Sequence, residues 1–232
     1  MARIGQSSDW VAVLTAKAIL TAKQDARFSL VLALGRVTNT LTLARLPIQR
    51  PLRWQSPRIR RERQAALLYA GAVLFEGMRL VEGLARHYCK HAKWATTFKP
   101  LLADPTVRSL RTEFLRPLRN KGVFHFDADL FADALTRVPA EEIIIASGRG
   151  FTVRDLYIDA SDDLILLSLL GSPARGQHEA RLEQFIVGTM DLYARFTRAA
   201  TAFLAVAIAE LGARRRRPRS TDPAIRMRDA AR

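Results

Sequence analysis

Cysteine is almost absent from this sequence, since Cys89 is the only one in 232 residues. A single cysteine cannot form a disulfide within the chain, and such a chain suits a reducing compartment. The first residues also lack the apolar run of a secretory signal. Together these two absences predict a cytoplasmic location.

Acidic residues are scarce relative to basic ones. The sequence has 22 Asp and Glu against 37 Lys and Arg, a formal net charge of +15 at pH 7. A basic surface of this size attracts polyanions, so nucleic acid is the first partner to consider. An acidic lipid surface or an acidic protein fits the same charge. A genome rich in Arg and Ala codons would also produce it, so the charge only supports other observations.

Long apolar runs are missing as well. A membrane-spanning helix needs about 20 consecutive apolar residues. The apolar stretch 199–209 is shorter than this, with Arg195 and Arg198 before it and Glu210 after it. The sequence therefore predicts a core helix here, and no membrane partner.

What the sequence does contain is helical periodicity. Apolar residues at three- and four-residue steps predict five helices. The first begins at Ser8–Asp9, the second spans about 25–45, the third spans about 61–90, the fourth begins near Thr106, and the last spans about 179–211. Pro47 is expected to end the second helix, and Pro100 and Pro105 to bracket a turn. The helix at 61–90 has a narrow apolar seam that fits neighbouring helices or a second subunit. The seam contains Leu67, Gly71, Leu74, Met78, Val81, Ala85 and Tyr88, and Gly71, Gly77 and Gly83 would permit close approach.

The region 141–171 has a different pattern. Ile143-Ile144-Ile145, Gly148-Arg149-Gly150 and Phe151-Thr152-Val153 are typical of a hairpin, and 156–158 or 164–170 adds a strand or a short buried element. The predicted fold class is therefore mainly α, a multi-helix bundle with a small β-hairpin insert near 141–170. One domain is expected over 1–212, with the insert at about 141–171, followed by a basic flexible tail over 213–232.

The segment 115–127 concentrates the side chains best suited to chemistry. It places Arg119, Asn120 and His125 close together in sequence. Histidine transfers protons near neutral pH, arginine holds a phosphate, and the amide orients the histidine or contacts the phosphate. These roles suffice for metal-independent cleavage of RNA, with the 2′-hydroxyl as nucleophile. On a straight helix Arg119 and His125 point roughly 120° apart, so Gly122 is expected to end or bend the helix.

Two groups of basic residues are candidates for binding nucleic acid through its phosphates. The first surrounds the candidate catalytic residues and contains Arg108, Arg111, Arg116 and Lys121. The second lies in the tail and contains Arg214, Arg215, Arg216 and Arg217. For the second group, a solvated tail without a specific role is the alternative interpretation.

The segment Arg119-Asn120-Lys121-Gly122-Val123-Phe124-His125 resembles the signature of the HEPN superfamily. In that signature an arginine, commonly followed by a polar residue, precedes a histidine by four to six residues. The resemblance implies an all-helical bundle, metal-independent RNase activity of the kind found in toxin–antitoxin and phage-defence systems, and a homodimer that joins Arg and His. An antitoxin or operon partner is a further implied partner. The resemblance covers this one motif, and a structural corner at Phe124-His125-Phe126 is the alternative.

Metal and cofactor signals are weak. His87 and His91 are one helical turn apart, but no third ligand accompanies them, so a solvated pair is favoured. We predict neither a metal nor another cofactor. The predicted function is a HEPN-like RNA-cleaving or RNA-binding protein, with endoribonuclease as the candidate activity. The alternative is a non-enzymatic helical adaptor or regulator that binds nucleic acid or a partner protein through basic surfaces.

Overall fold

Helices make up most of the described chain. The structure, a computed structural model, describes residues 11–49, 57–123, 128, 134–136, 159–170 and 175–216. Its helices are α1 (Ala16–Lys23), α2 (Ala26–Gln49), α3 (Pro57–Tyr88), α4 (Ala92–Ala103), α5 (Pro105–Leu110), α6 (Asp159–Leu170) and α7 (Arg175–Glu210). Two π-helical turns, π1 (Arg111–Leu115) and π2 (Leu118–Val123), follow α5, and two short strands, β1 (Val11–Val13) and β2 (Arg214–Arg216), flank the helices. The prediction of a mainly α, multi-helix bundle is confirmed.

The core forms where α2, α3 and α7 pack together, and α4, α5 and α6 contact α7 around it. The predicted seam of α3 faces inward, because Gly71, Leu74, Met78, Val81 and Tyr88 are buried and the other two positions are half-buried. The seam is therefore part of the chain's own core, and it gives no support for a second subunit. Aromatic side chains fill the space between the end of α3, α4 and α7, with the Phe203 ring at the centre of the group.

Several helix boundaries differ from the predicted ones. The first helix begins at Ala16 rather than at Ser8–Asp9, and the hydroxyl oxygen of Thr15 accepts a hydrogen bond from the Ala18 amide at 3.2 Å. Pro47 lies inside α2 and Pro100 inside α4, so neither proline ends its helix. In both cases the next residue is buried, and this burial offsets the backbone hydrogen bond that proline cannot donate.

The predicted β insert is only partly within the described residues. The hairpin over 143–153 and the strand option at 156–158 lie outside them. Residues 159–170 form α6, so the strand option for 164–170 is wrong. A short, uniformly apolar run has no period that separates a buried strand from a buried helix, which explains the error.

The two strands join the beginning and the end of the described chain. Gly212 has φ +83° at the end of α7, where the Gly212 and Ala213 amides donate to the carbonyls of Ala209 and Ile208. This arrangement is a Schellman motif, which needs the left-handed backbone that glycine supplies. The chain then turns back, and β2 pairs antiparallel with β1. Residues 214–216 are thus paired backbone, whereas 217–232 of the predicted tail lie outside the described residues.

Within the described residues, two helices are long and apolar enough to cross a membrane, by length and composition alone. They span Arg61–Tyr88 and Ala180–Glu210. The core helices of soluble proteins pass the same test, and 56% of the most apolar window of the first is buried inside the bundle. The location of the protein therefore stays a proposal.

Gly77 and Gly83 of α3 give a matched pair for testing the packing of the bundle. A Cβ atom at Gly77 would lie 2.7 Å from Phe196 Cζ and 2.9 Å from Val37 Cγ1, whereas a Cβ at Gly83 meets nothing within 4 Å. We expect Gly77→Ala to lower the free energy of unfolding by about 1–2 kcal/mol, because overpacking exceeds the gain in helix propensity. Gly83→Ala should raise it by about 0.5–1 kcal/mol.

Urea denaturation followed by circular dichroism measures both changes. The two alanines are expected to shift the unfolding midpoint in opposite directions with the same m-value. Equal stabilisation by both would mean that α3 does not approach α2 and α7 as closely as the structure shows.

Candidate nucleic-acid interface

The segment 105–123 carries the predicted site residues. It begins with Asp104, whose carboxylate accepts a hydrogen bond from the Thr106 amide at 2.8 Å, and Pro105 occupies the first helical position. The apolar side of the segment, Leu110, Phe114 and Leu118, is buried as predicted, and π1 and π2 pack on α3. The polar side of the same segment therefore faces outward along α3.

Both π-helical turns lie in this segment. Such turns are rare, and they often occur at functional sites because the widened turn redirects side chains. Here π1 contains Arg111, and π2 contains Arg119 and Asn120. The unusual backbone thus coincides with the residues for which the sequence predicts chemistry.

An arginine-rich cleft of about 540 Å³ opens between α3 and the segment 105–123. We call it the arginine cleft. Four guanidinium groups from different turns converge on it, with a single carboxylate among the lining residues. It is lined by Phe75, Arg79, Glu82, Arg108, Arg111, Thr112, Arg116 and Asn120. The surplus of positive charge suits an anionic ligand such as a phosphate chain.

Arg111 is the most constrained cation of the arginine cleft. Its Nη2 atom donates to Glu82 Oε2 at 2.7 Å, and its Nη1 atom donates to Glu82 Oε1. Its guanidinium carbon lies over the Phe75 ring, 5.5 Å from the ring centroid. The hydrogen bonds that it donates to Glu82 raise the pKa of the Arg111 guanidinium, against the opposing effect of burial. Arg111 therefore stays charged and fixed in orientation.

Arg119 and Asn120 contact each other beside the arginine cleft. Arg119 Nη1 donates to Asn120 Oδ1 at 3.2 Å, and Arg119 Nε donates to Glu76 of α3. Glu76 also lies near a second cation, with its Oε2 atom 3.7 Å from Arg79 Nη1. Of the two side chains, Asn120 lines the cleft. Arg119 is thus fixed beside the cleft by a carboxylate of α3 and by its hydrogen bond to Asn120.

The predicted role of Gly122 needs correction. The helical backbone continues through Gly122 to Val123, so the helix does not end at the glycine. Gly122 is buried, and a Cβ there would lie 3.0 Å from Ile165 Cγ2 of α6. The glycine allows α6 to pack closely against π2. His125 lies outside the described residues, so its position relative to Arg119 stays a prediction.

The predicted basic residues do not all lie in the arginine cleft. Arg108, Arg111 and Arg116 share the arginine cleft, whereas Lys121 is exposed and does not line it. Arg214 lines a separate pocket of about 420 Å³ near the strands, together with Lys17, Arg27 and Glu210. Arg215 and Arg216 belong to β2, and Arg217 lies outside the described residues. The two predicted basic groups therefore do not form one surface in the part that the structure describes.

His91 is not the solvated residue that the sequence suggested. Its Nδ1 atom accepts a hydrogen bond from the Lys93 amide at 3.1 Å and so caps α4. Its Nε2 atom lies 2.7 Å from Glu210 Oε1. Among the described residues, no three His, Cys, Asp or Glu side chains are grouped as metal ligands. His91 thus joins α4 to the end of α7 and has a structural explanation.

Three residues of α3 complete the site and were not predicted. Glu76, Arg79 and Glu82 are the only charged residues in 65–85, and they recur at three-residue steps. That spacing places them on one side of the helix, away from the apolar seam. In the sequence, these three charged residues inside an otherwise uncharged stretch were the signal that could have identified them as site residues. Which segment it would face could not be read from the sequence.

No family model, curated protein or solved structure matches this chain. The HEPN resemblance therefore rests on the Arg119–His125 motif in a helical context. RNA, a homodimer and an operon partner stay proposals.

Proposed function

We propose that this chain is a HEPN-like, metal-independent RNA-cleaving protein that holds single-stranded RNA in the arginine cleft. The observation that carries the proposal is the convergence of four arginines on one cleft with Asn120 at its edge. Guanidinium groups bind phosphate oxygens bidentately, and several in one groove can follow a nucleic-acid backbone. A cytoplasmic location would give this cleft access to cellular RNA.

In the proposed reaction, Arg119 holds the scissile phosphate and Asn120 supports it from the cleft edge. His125 removes the proton of the RNA 2′-hydroxyl, whose oxygen attacks the adjacent phosphorus. The phosphorus–O5′ bond breaks, and the leaving oxygen takes a proton from water, giving a 2′,3′-cyclic phosphate and a 5′-hydroxyl, while His125 returns the proton that it removed to the solvent. Arg119 stabilises the charge that develops on the phosphate oxygens. The family resemblance implies a homodimer that brings Arg119 and His125 together, and an antitoxin or operon protein as a further partner.

The salt dependence of RNA binding tests the use of the arginine cleft. The double variant Arg108→Ala/Arg116→Ala removes two exposed cations of the cleft. For single strands the slope of log affinity against log salt falls by about 0.7 for each lost phosphate contact. We expect a slope smaller by about 1.4, together with weaker binding at low salt, measured by fluorescence anisotropy on a short labelled RNA.

A control variant separates the cleft from the overall charge. Arg36→Ala/Arg198→Ala also removes two exposed arginines, but from α2 and α7 outside the cleft. We expect its slope to stay close to that of the unmodified protein. An equal change in both double variants would show that binding depends on net charge and not on this cleft.

The second candidate function is the non-enzymatic adaptor or regulator, which the same cleft supports because binding alone needs only the arginines. This protein would bind RNA or an acidic partner with salt-sensitive affinity and without turnover. Removal of the Arg214–Arg217 block would then also weaken binding. The two functions differ in whether His125 matters, which a substitution at that position decides.

A further inference from the structure

Arg111 differs from the other arginines of the cleft in how its donors are used. Both terminal nitrogens donate to the Glu82 carboxylate, and the guanidinium lies over the Phe75 ring. Its side chain is 21% exposed and lines the cleft. What Arg111 presents at the cleft is therefore a flat cation of fixed orientation, because two of its N–H donors are bonded to the carboxylate and the guanidinium lies against the ring.

We infer that Arg111 is a stacking platform for one unpaired base of a single-stranded RNA, an inference that rests on the function proposed above. Bases stack on guanidinium planes as they do on aromatic rings, provided that the base is free of a duplex. Phe75 beneath the guanidinium and Glu82 at its edge hold that plane in place. Arg111 would thus select single strands over duplexes, rather than add to the phosphate contacts.

The remaining groups of the cleft fit the flanking phosphates. Arg108 and Arg116 are exposed on the segment 105–123, and Arg79 is exposed on α3 across the cleft. Arg108 Nη2 donates a hydrogen bond to the Ala103 carbonyl oxygen at 2.9 Å. A volume of about 540 Å³ lies within the range of pockets that enclose a nucleotide-sized ligand. The cleft therefore has room for a base on Arg111 with phosphates on either side.

Arg111→Lys tests the stacking, since lysine keeps the positive charge but has no planar guanidinium group. The probe is a short RNA that carries one 2-aminopurine flanked by uridines, because stacking quenches the fluorescence of this base. We expect Arg111→Lys to weaken binding about tenfold, to lose the quenching on binding, and to keep the salt slope. The control Arg198→Lys makes the same chemical change at an exposed position of α7 outside the cleft, and should leave both the affinity and the quenching as in the unmodified protein.

The unmodified protein gives a second readout that does not depend on how the variant folds. A duplex with the same number of phosphates should compete more weakly than the single strand for the labelled RNA. Equal competition by the duplex, or quenching that survives in a folded Arg111→Lys protein, overturns the stacking role while leaving RNA binding intact. A protein that binds neither probe overturns the proposed function as well, so the two failures are distinguishable.

Discussion

His125→Ala is expected to lower cleavage of single-stranded RNA by about 10²–10⁴-fold, the usual contribution of a general acid or base. The effect should appear in EDTA, because the proposed reaction needs no metal ion. RNA binding should change little, since the cations of the arginine cleft remain in place. Cleavage is measured on a labelled RNA, with a 2′-deoxy substitution at the cut site as a substrate that cannot react.

The control for this variant is His87→Ala, which removes an exposed histidine of α3 outside the arginine cleft. Its cleavage rate should equal that of the unmodified protein. Undiminished cleavage by His125→Ala would remove the catalytic role of the motif. Tight binding without any cleavage by the unmodified protein would instead favour the adaptor.

Removal of the Phe203 ring is expected to have the largest effect on stability. Phe203 is fully buried, and its ring centroid lies 4.9 Å from that of Tyr88, 5.6 Å from Phe98 and 6.0 Å from Trp94. Phenylalanine to alanine at such a site costs about 3–5 kcal/mol, through lost burial and the cavity that remains. Because whole domains are stable by only about 5–15 kcal/mol, Phe203→Ala should remove a large part of the free energy of unfolding.

Urea denaturation followed by circular dichroism measures this loss. Phe203→Leu keeps part of the volume and should lose clearly less, which keeps the comparison usable if the alanine variant does not fold. Leu43→Ala removes a side chain that is 67% exposed on α2, and should stay within about 0.5 kcal/mol of the unmodified protein. A loss below about 1.5 kcal/mol for Phe203→Ala would contradict its place at the centre of the core.

The helical bundle could be predicted because burial repeats with the period of a helix. The seam of α3 shows this, as every predicted position is buried or half-buried. Helix ends were harder to predict, because they depend on contacts between elements. Pro47 and Pro100 stay inside helices whose neighbouring residues, Ile48 and Leu101, enter the core. Sequence rules that treat proline as a helix breaker take no account of the free energy gained by burying the residue after it.

The candidate site, too, was only partly predictable from the sequence. Arg108, Arg111, Arg116 and Lys121 were predicted as one basic group because they are close in sequence, and the three arginines line one cleft whereas Lys121 does not. The residues facing them across it, Arg79 and Glu82, come from α3. Only the packing of the π-helical turns on α3 brings the two sides together. The pairing of Arg111 with Glu82 changes the expected role of that arginine from a phosphate contact to a fixed platform.

The ladder of β1 and β2 has a consequence for the order in which the molecule is assembled. It pairs residue 11 with residue 216, so the two strands can meet only after nearly all of the described chain has left the ribosome. The helices between them form from much more local contacts, which need less loop closure. The ladder therefore belongs to the last stage of folding.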